Sequence, residues 1–375
     1  MSLPILLLFV PCLAVADEAP PVATLQPVTS LFYHSTDIGS EAQFNPFTVW
    51  VNSGFDILAK PSYRRSVLEV EYQAGFRNVF DNLNNGVARV RRVGIERVVA
   101  HEVFPYRGID SQHGQWIPNV FGHMLGEGML SRKLSDWYEL QNVPYPRLWG
   151  LATLVATQFL NEAAENGSYK GTNLDPVVDL GLFNLLGYLL FVTDEVAGFF
   201  AGPVQLNYWP GQAVLDLRSG ELFNHGENFA FKLWLGDWTN LRGFFYFGGA
   251  GLFGLSLPLG VHDAVSVAAG PHLMWMKPNM VNGNRWLQPA GDMNWDLALF
   301  WDRNESLLAS VQGGGMSTRF VALNVYPGVW RLGPVGIGAY AFCSEDVGTA
   351  VGLTVQAVPV VPGVILGRET PRPAF

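Results

Sequence analysis

The chain of 375 residues is 49% hydrophobic, 13% aromatic and only 15% charged, with a formal net charge of −9. An acidic balance excludes nucleic acid as a partner, and the charge content falls short of the roughly 25% carried by an ordinary soluble domain. The apolar surplus is not gathered into one bilayer-length helix; it is spread along the chain, as in a membrane β-barrel.

Residues 1–16 read as a signal peptide. An apolar core from Leu3 to Leu13 precedes the cleavage pattern Ala14-Val15-Ala16, and acidic, Pro-rich Asp17-Glu18-Ala19-Pro20-Pro21 follows. Pro11 stands before Cys12 where a lipid-anchor signal needs a small residue. With the leader removed, Cys343 is the one cysteine left, so the fold has no intramolecular disulfide to rely on. Residues 17–43 have no periodicity and read as a Pro-rich polar linker.

Residues 44–202 read as mainly helical. Arg65 to Leu83 starts with alternation and turns to helical spacing at Phe76, Val79, Phe80 and Leu83. Ile117, Val120, Phe121, Met124, Leu125, Met129 and Leu134 recur at three- and four-residue steps and place a helix over Trp116 to Leu140. Pro144-Tyr145-Pro146 separates it from a second helix, Arg147 to Asn166, which Asn166-Gly167 closes. Asp175-Pro176 opens a third, with Asp as cap and Pro at the first position, reaching about Phe200. Its apolar run Leu180 to Val192 is too short to span a bilayer.

Residues 203–367 carry the clearest periodicity. Phe253, Leu255, Leu257 and Leu259 alternate with Gly254, Ser256, Pro258 and Gly260; Trp295, Leu297, Leu299 and Trp301 alternate with Asp296, Ala298, Phe300 and Asp302; Val351, Leu353 and Val355 alternate with Gly352, Thr354 and Gln356. Turns are expected at Pro278-Asn279, Asn282-Gly283-Asn284, Asp302-Arg303-Asn304 and Glu345-Asp346, which gives about eight strands. Thr48-Val49-Trp50-Val51 and Val214-Leu215-Asp216-Leu217 could add more. A soluble sandwich would set charged residues opposite its apolar face; here that face is mostly Gly, Ala, Ser, Thr, Asn and Gln, which suits lipid outside and a cramped lumen inside. Trp275, Trp295, Trp301, Tyr326 and Trp330 fall near strand ends and suit interfacial girdles. In the tail, residues 368–375, Pro371 and Pro373 preclude a paired last strand. The expected fold class is mixed α+β, a helical segment followed by an antiparallel β-barrel-like domain of about eight or more strands.

The polar residues with most chemical promise lie on the middle helices. His123 and Glu127 are four apart on one helix face, Glu162 and Glu165 three apart, Asp175 and Asp179 four apart. His123, Glu127 and Glu162 could act as general acid and base; His123, Glu162, Glu165, Asp175 and Asp179 could bind a divalent metal. The plainer alternative makes Asp175 a helix cap and leaves Glu162 and Glu165 on a solvated helix end. The H-E-x-x-H zinc pattern, the G-x-S-x-G elbow, the P-loop and the dinucleotide fingerprint are absent. His101-Glu102 and His113 flank a loop, Asn224-His225-Gly226-Glu227 reads as a turn, and His272 and Asp296 would line a lumen.

The order of these features resembles a group of proteins. Phe44-Asn45-Pro46-Phe47 with Gly54-Phe55-Asp56-Ile57-Leu58 is followed by Gly122-His123 with Gly126-Glu127, then Asn161-Glu162 with Glu165, then Asp175-Pro176 with Asp179. The pattern, over roughly Phe44 to Phe191, is similar to uncharacterised bacterial envelope proteins grouped as domains of unknown function. The resemblance implies an envelope setting and no activity. The expected role is that of an exported protein of the bacterial outer membrane or periplasm, with membrane lipid as partner and a structural, anchoring or hydrophobic-ligand-binding barrel. The alternative is an envelope hydrolase or acyl-modifying enzyme that uses the His and carboxylate residues.

Overall fold

Asn45 starts the first helix: its side-chain oxygen accepts from the Thr48 N–H at 3.0 Å and Pro46 fills the first position of α1 (Pro46–Asn52). Thr48 to Val51, a candidate strand on its β-branched content, is therefore helical. This opens the part of the chain that the computed structural model describes, residues 30–60, 66–104, 117–167, 172–273, 276–281, 284–289, 293–315, 320–345 and 347–367, with the side chains of 273–294 outside it. The expected signal peptide, His113, the Asn282-Gly283 turn and the C-terminal tail lie outside the described residues.

The helical part continues with α2 (Tyr72–Asn84), α3 (Gly86–Val93) and α4 (Ile95–Val98), which runs into a π-helical turn, Val99–Val103. A second π-helical segment, Pro118–Gly126, leads into α5 (Glu127–Leu140), which pairs with α6 (Pro146–Asn166). After β1 (Thr172–Asn173), the expected third helix is broken into α7 (Asp175–Val178), a π-helical segment (Asp179–Phe183), α8 (Asn184–Leu190) and α9 (Asp194–Ala201). Leu174 takes the cap position and Asp175 the first helical one. The Thr193 hydroxyl caps α9, and the chain bends by 89° between α8 and α9. Among the described residues no single helix is long and apolar enough to cross a membrane.

The strands follow as β2 (Asn207–Tyr208), β3 (Val214–Asp216), β4 (Glu221–Phe223), β5 (Phe229–Trp234), β6 (Arg242–Phe247), β7 (Leu252–Leu259), β8 (Asp263–Leu273), β9 (Met276–Val281), β10 (Asn284–Pro289), β11 (Met293–Arg303), β12 (Ser306–Gly314), β13 (Phe320–Leu332), β14 (Val335–Ser344), β15 (Gly348–Val355) and β16 (Val361–Gly363). Ten form one antiparallel sheet in the order β15-β14-β13-β12-β11-β8-β7-β6-β5-β2, a meander interrupted by the β9–β10 hairpin, which pairs with β1. Pro278-Asn279 is thus strand rather than turn. Pro278 is tolerated because β9 is the edge of its small sheet. β6 has no alternation because both its faces are covered, Phe244 and Tyr246 packing inward and Phe245 and Phe247 against helices.

A separate three-stranded sheet, β16-β3-β4, lies beside the β15 edge of the meander. β16 runs parallel to β3, Val361 opposite Val214, while Thr349 on β15 and Leu366 exchange two backbone bonds at 2.8 Å. Inside, Trp209, Phe244, Tyr246, Phe300 and Tyr326 fill the lumen beside a buried Lys232–Asp302 ion pair, whose ammonium lies 5.3 Å from the Trp209 ring centre. Gln212 also reaches in: its side-chain nitrogen donates to Asn324 Oδ1 at 3.1 Å and its oxygen accepts from Thr354. Within the expected linker 17–43, the described residues from 30 on dock on the fold. Phe32, Tyr33 and the 3₁₀ turn Gly39–Gln43 are buried, the Ser306 hydroxyl donates to the Ile38 carbonyl at 2.7 Å, and Lys133 pairs with Glu41.

The helices lie against the outer wall of β5 and β6. Phe121 meets the rings of Phe231, Phe245 and Phe247 at centroid separations of 6.4, 5.3 and 5.7 Å, and Gly126 leaves just the space that the Phe229 ring occupies. Lys232→Met should cost about 3–5 kcal/mol by leaving Asp302 charged and unpaired, whereas Lys232→Met with Asp302→Leu should recover most of it; chemical unfolding of the three proteins in detergent micelles measures both.

Candidate functional site

All three π-helical segments carry a polar residue into one region. A π turn holds an extra residue and rotates the side chains after it, and such turns concentrate at functional sites. The first bears His101 and Glu102, whose Nδ1 and Oε1 are 2.9 Å apart; Asn119 on the second donates to the Glu102 carboxylate at 3.1 Å. His123, also on the second, lies 3.6 Å through Nε2 from Oδ2 of Asp179 on the third. Its Nδ1 is 2.9 Å from Glu127 Oε1 and 3.1 Å from Asn184 Oδ1. Two oxygens thus face Nδ1, and Asp179 faces Nε2.

Glu127 extends the cluster to the barrel. Burial pushes its carboxyl well above the usual range and the charge of Asp56 adds to this. Asp56 is itself raised by burial, against the pull of Lys60. Glu227, at the foot of β5, is raised well above its usual value by burial and by Glu127 and Asp56; the Ser53 hydroxyl donates to its Oε1 at 2.7 Å, and its own N–H donates to Asp56 Oδ1 at 2.8 Å. Burial lifts Asp179 to about 7, His123 opposing and Glu102, Glu165 and Glu127 reinforcing. Burial thus favours the neutral form of each of these carboxyls. Glu127 Oε2, Asp179 Oδ1 and Asn184 Nδ2 have no hydrogen-bond partner among the described residues, and all three belong to residues that touch His123.

Of the sequence candidates, His123, Glu127 and Asp179 come together. Glu162 is buried, not on a solvated helix end; its carboxylate accepts from Asn166 one turn along at 3.3 Å, and burial with the charges of Asp179, Glu165, Asp175 and Glu127 raises it well above its usual value. Asp175 is buried in the first turn of α7. Among the described residues no group of three or more His, Cys, Asp or Glu is placed to hold a metal ion, so the divalent-metal set His123, Glu162, Glu165, Asp175 and Asp179 is not assembled. The physical reason is direction: His123 is committed to Glu127, Asn184 and Asp179, and Glu162 to its own helix.

Sequence reasoning did not find Asn184, Ser53 or Glu227. Asn224 to Glu227, expected to be a turn, bends at Asn224, whose φ is 52°, and His225 Nε2 meets the Phe55 carbonyl at 3.0 Å. The one signal was Gly54-Phe55-Asp56 in the ordered motifs. His272 lines the far end of the barrel with Asp296, Nδ1 to Oδ2 at 2.9 Å, and the same oxygen accepts from Gln312 at 2.8 Å. Comparison with protein-family models, with curated proteins and with solved structures returned no match to the chain.

Because the folded pKa of Asp179 lies above the unfolded one, its neutral form favours the native state. That contribution is complete below about pH 4, shrinks as pH rises to about 7 and is gone above. Asp179→Asn removes the titration, so the variant should lose less stability than the parent between pH 4 and 7, read as the change in unfolding midpoint across a pH series.

Proposed function

We propose that the protein is a membrane-seated β-barrel of the bacterial outer membrane that anchors the helical segment and its acid–base centre. One observation carries this reading: the outward face of β7, β8 and β11 to β15 is large and apolar, and it is bare. Phe253, Leu257, Leu297, Leu323, Leu353 and their strand neighbours are 36–73% exposed, while Ser256, Ala268, Ala298 and Thr354 on the opposite face are buried. Soluble monomers rarely expose contiguous apolar patches beyond a few hundred Å². β8, β11, β13 and β14 have 11, 11, 13 and 10 residues, against the roughly 9–11 that a tilted strand needs to cross a bilayer.

Two further features support it. Trp234, Trp301 and Trp330 stand exposed at one rim, as an interfacial girdle requires. Within the meander each strand from β14 to β5 is paired on both sides, as a bilayer demands of spanning strands. The packed lumen favours an anchoring or structural role over conduction. The expected leader and the motif order shared with envelope proteins point to the same compartment. The protein should sediment with membranes and migrate differently on gels with and without heating; a soluble product of constant mobility overturns the reading. Leu297→Arg and Leu353→Arg should each cost about 2–4 kcal/mol and lower the recovered membrane fraction.

A second reading, an envelope hydrolase acting on lipid, has its own observation: a histidine held between two carboxyls of raised pKa, Glu127 at Nδ1 and Asp179 at Nε2, as general acid–base chemistry requires. Mass spectrometry of lipid vesicles incubated with the protein should then show deacylated products, reduced about 10²–10⁴-fold by His123→Gln. Equal product with the parent and the variant, or none with either, overturns it.

A further inference from the structure

From Leu180 to Thr193 the chain has no charged residue. Leu182, Leu185, Leu186, Leu189 and Val192 recur at three- and four-residue steps, and each is 38–60% exposed. The other side of the same helix packs tightly: a Cβ on Gly128 would stand 2.7 Å from the Gly187 carbonyl oxygen, and one on Gly187 would strike the Met124 carbonyl. Small residues that let backbones approach closely are how helices associate within lipid. At the end of the ridge, Asp194 pairs with Arg132 at 2.8 Å and Arg147 at 3.1 Å, and Tyr145 and Trp149 stand exposed on the adjoining start of α6. A run of Leu closed by Arg, Tyr and Trp is the signature of a segment that ends at a membrane–water interface. The helices also rest on the outer wall of β5 and β6, in the sheet whose other strands carry the bare apolar belt.

We infer that the Leu182–Val192 ridge contacts lipid acyl chains, so that the helical unit is submerged beside the barrel and its His123 centre is reached sideways from the bilayer. Asp179 to Leu190 rises about 18 Å at 1.5 Å per residue, slightly over half of a roughly 30 Å hydrocarbon core; the segment dips into one leaflet without crossing. The 89° bend then turns α9 away from its direction. Asp179 and Asn184, which touch His123, belong to this same run. The class of molecule with access to the centre is therefore an amphiphilic lipid.

This inference rests on the membrane reading of the barrel, and one experiment separates the two. The full chain carrying Cys343→Ser is spin-labelled at Leu185→Cys, Leu189→Cys or, on the barrel face, Leu353→Cys, and placed in phosphatidylethanolamine–phosphatidylglycerol vesicles. Relaxation by oxygen should exceed relaxation by a polar nickel chelate at all three positions, by a ratio well above unity. Lipid-like behaviour at 353 with water-like behaviour at 185 and 189 overturns the ridge and leaves the barrel standing. Water-like behaviour at all three overturns both. Spin–spin broadening at 185 and 189 that grows with protein-to-lipid ratio would give the ridge to a second copy of the chain and also overturns the inference.

Discussion

The contact on which the arrangement depends is aromatic. Phe229, Phe231, Phe245 and Phe247 stack across β5 and β6 with centroids about 5–6 Å apart, and Phe121 inserts edge-on among three of them. Aromatic pairs of this geometry add about 0.5–1.5 kcal/mol each beyond the area they bury. They also fix position: with Phe121 seated, Gly126 must lie over Phe229, and Glu127 begins α5 beside the foot of β5. The polar centre is therefore placed by apolar packing. Glu227, bonded to Ser53 and Asp56, comes within electrostatic reach of Glu127 because one sheet face has four phenylalanines.

Around that junction the interior is rich in acid. Glu102, Glu127, Glu162, Asp179 and Glu227 are all buried, as are His101 and, in large part, His123. Burying an ionised carboxylate without a partner costs several kcal/mol, and the usual relief is to take up a proton. Glu127, Glu162, Asp179 and Glu227 are accordingly raised above the usual carboxylate range. The π segments are what let three short stretches contribute polar residues at a single place; a regular α-helix would turn His123 and Asp179 to other faces.

The barrel half was legible because a bare outer face and a tight inner one leave a period of two in the sequence, as at Leu255, Leu257 and Leu259. β6 was not, since Phe244 to Phe247 bury both faces and the period vanishes. Leu31 to Gln43 went unread because a 3₁₀ turn docked on β12 by the hydroxyls of Ser40 and Ser306 has no periodicity to show. In the site, the four-residue spacing of His123 and Glu127 gave their pairing directly. Glu227 was hidden for the opposite reason: its partner Ser53 is 174 residues away, and only the finished fold brings them together.

The parallel pairing of β16 with β3 has a consequence in time. Asp216 accepts from the Ile365 N–H across 149 residues, and Arg218 donates to the Ile365 carbonyl at 2.8 Å. Contacts this distant in sequence form slowly, because a long stretch of chain must be ordered before they give anything back. Until residues 361 to 366 are in place, β3 lacks its parallel partner and β15 lacks its two backbone bonds to Leu366. Such edges pair readily with other chains.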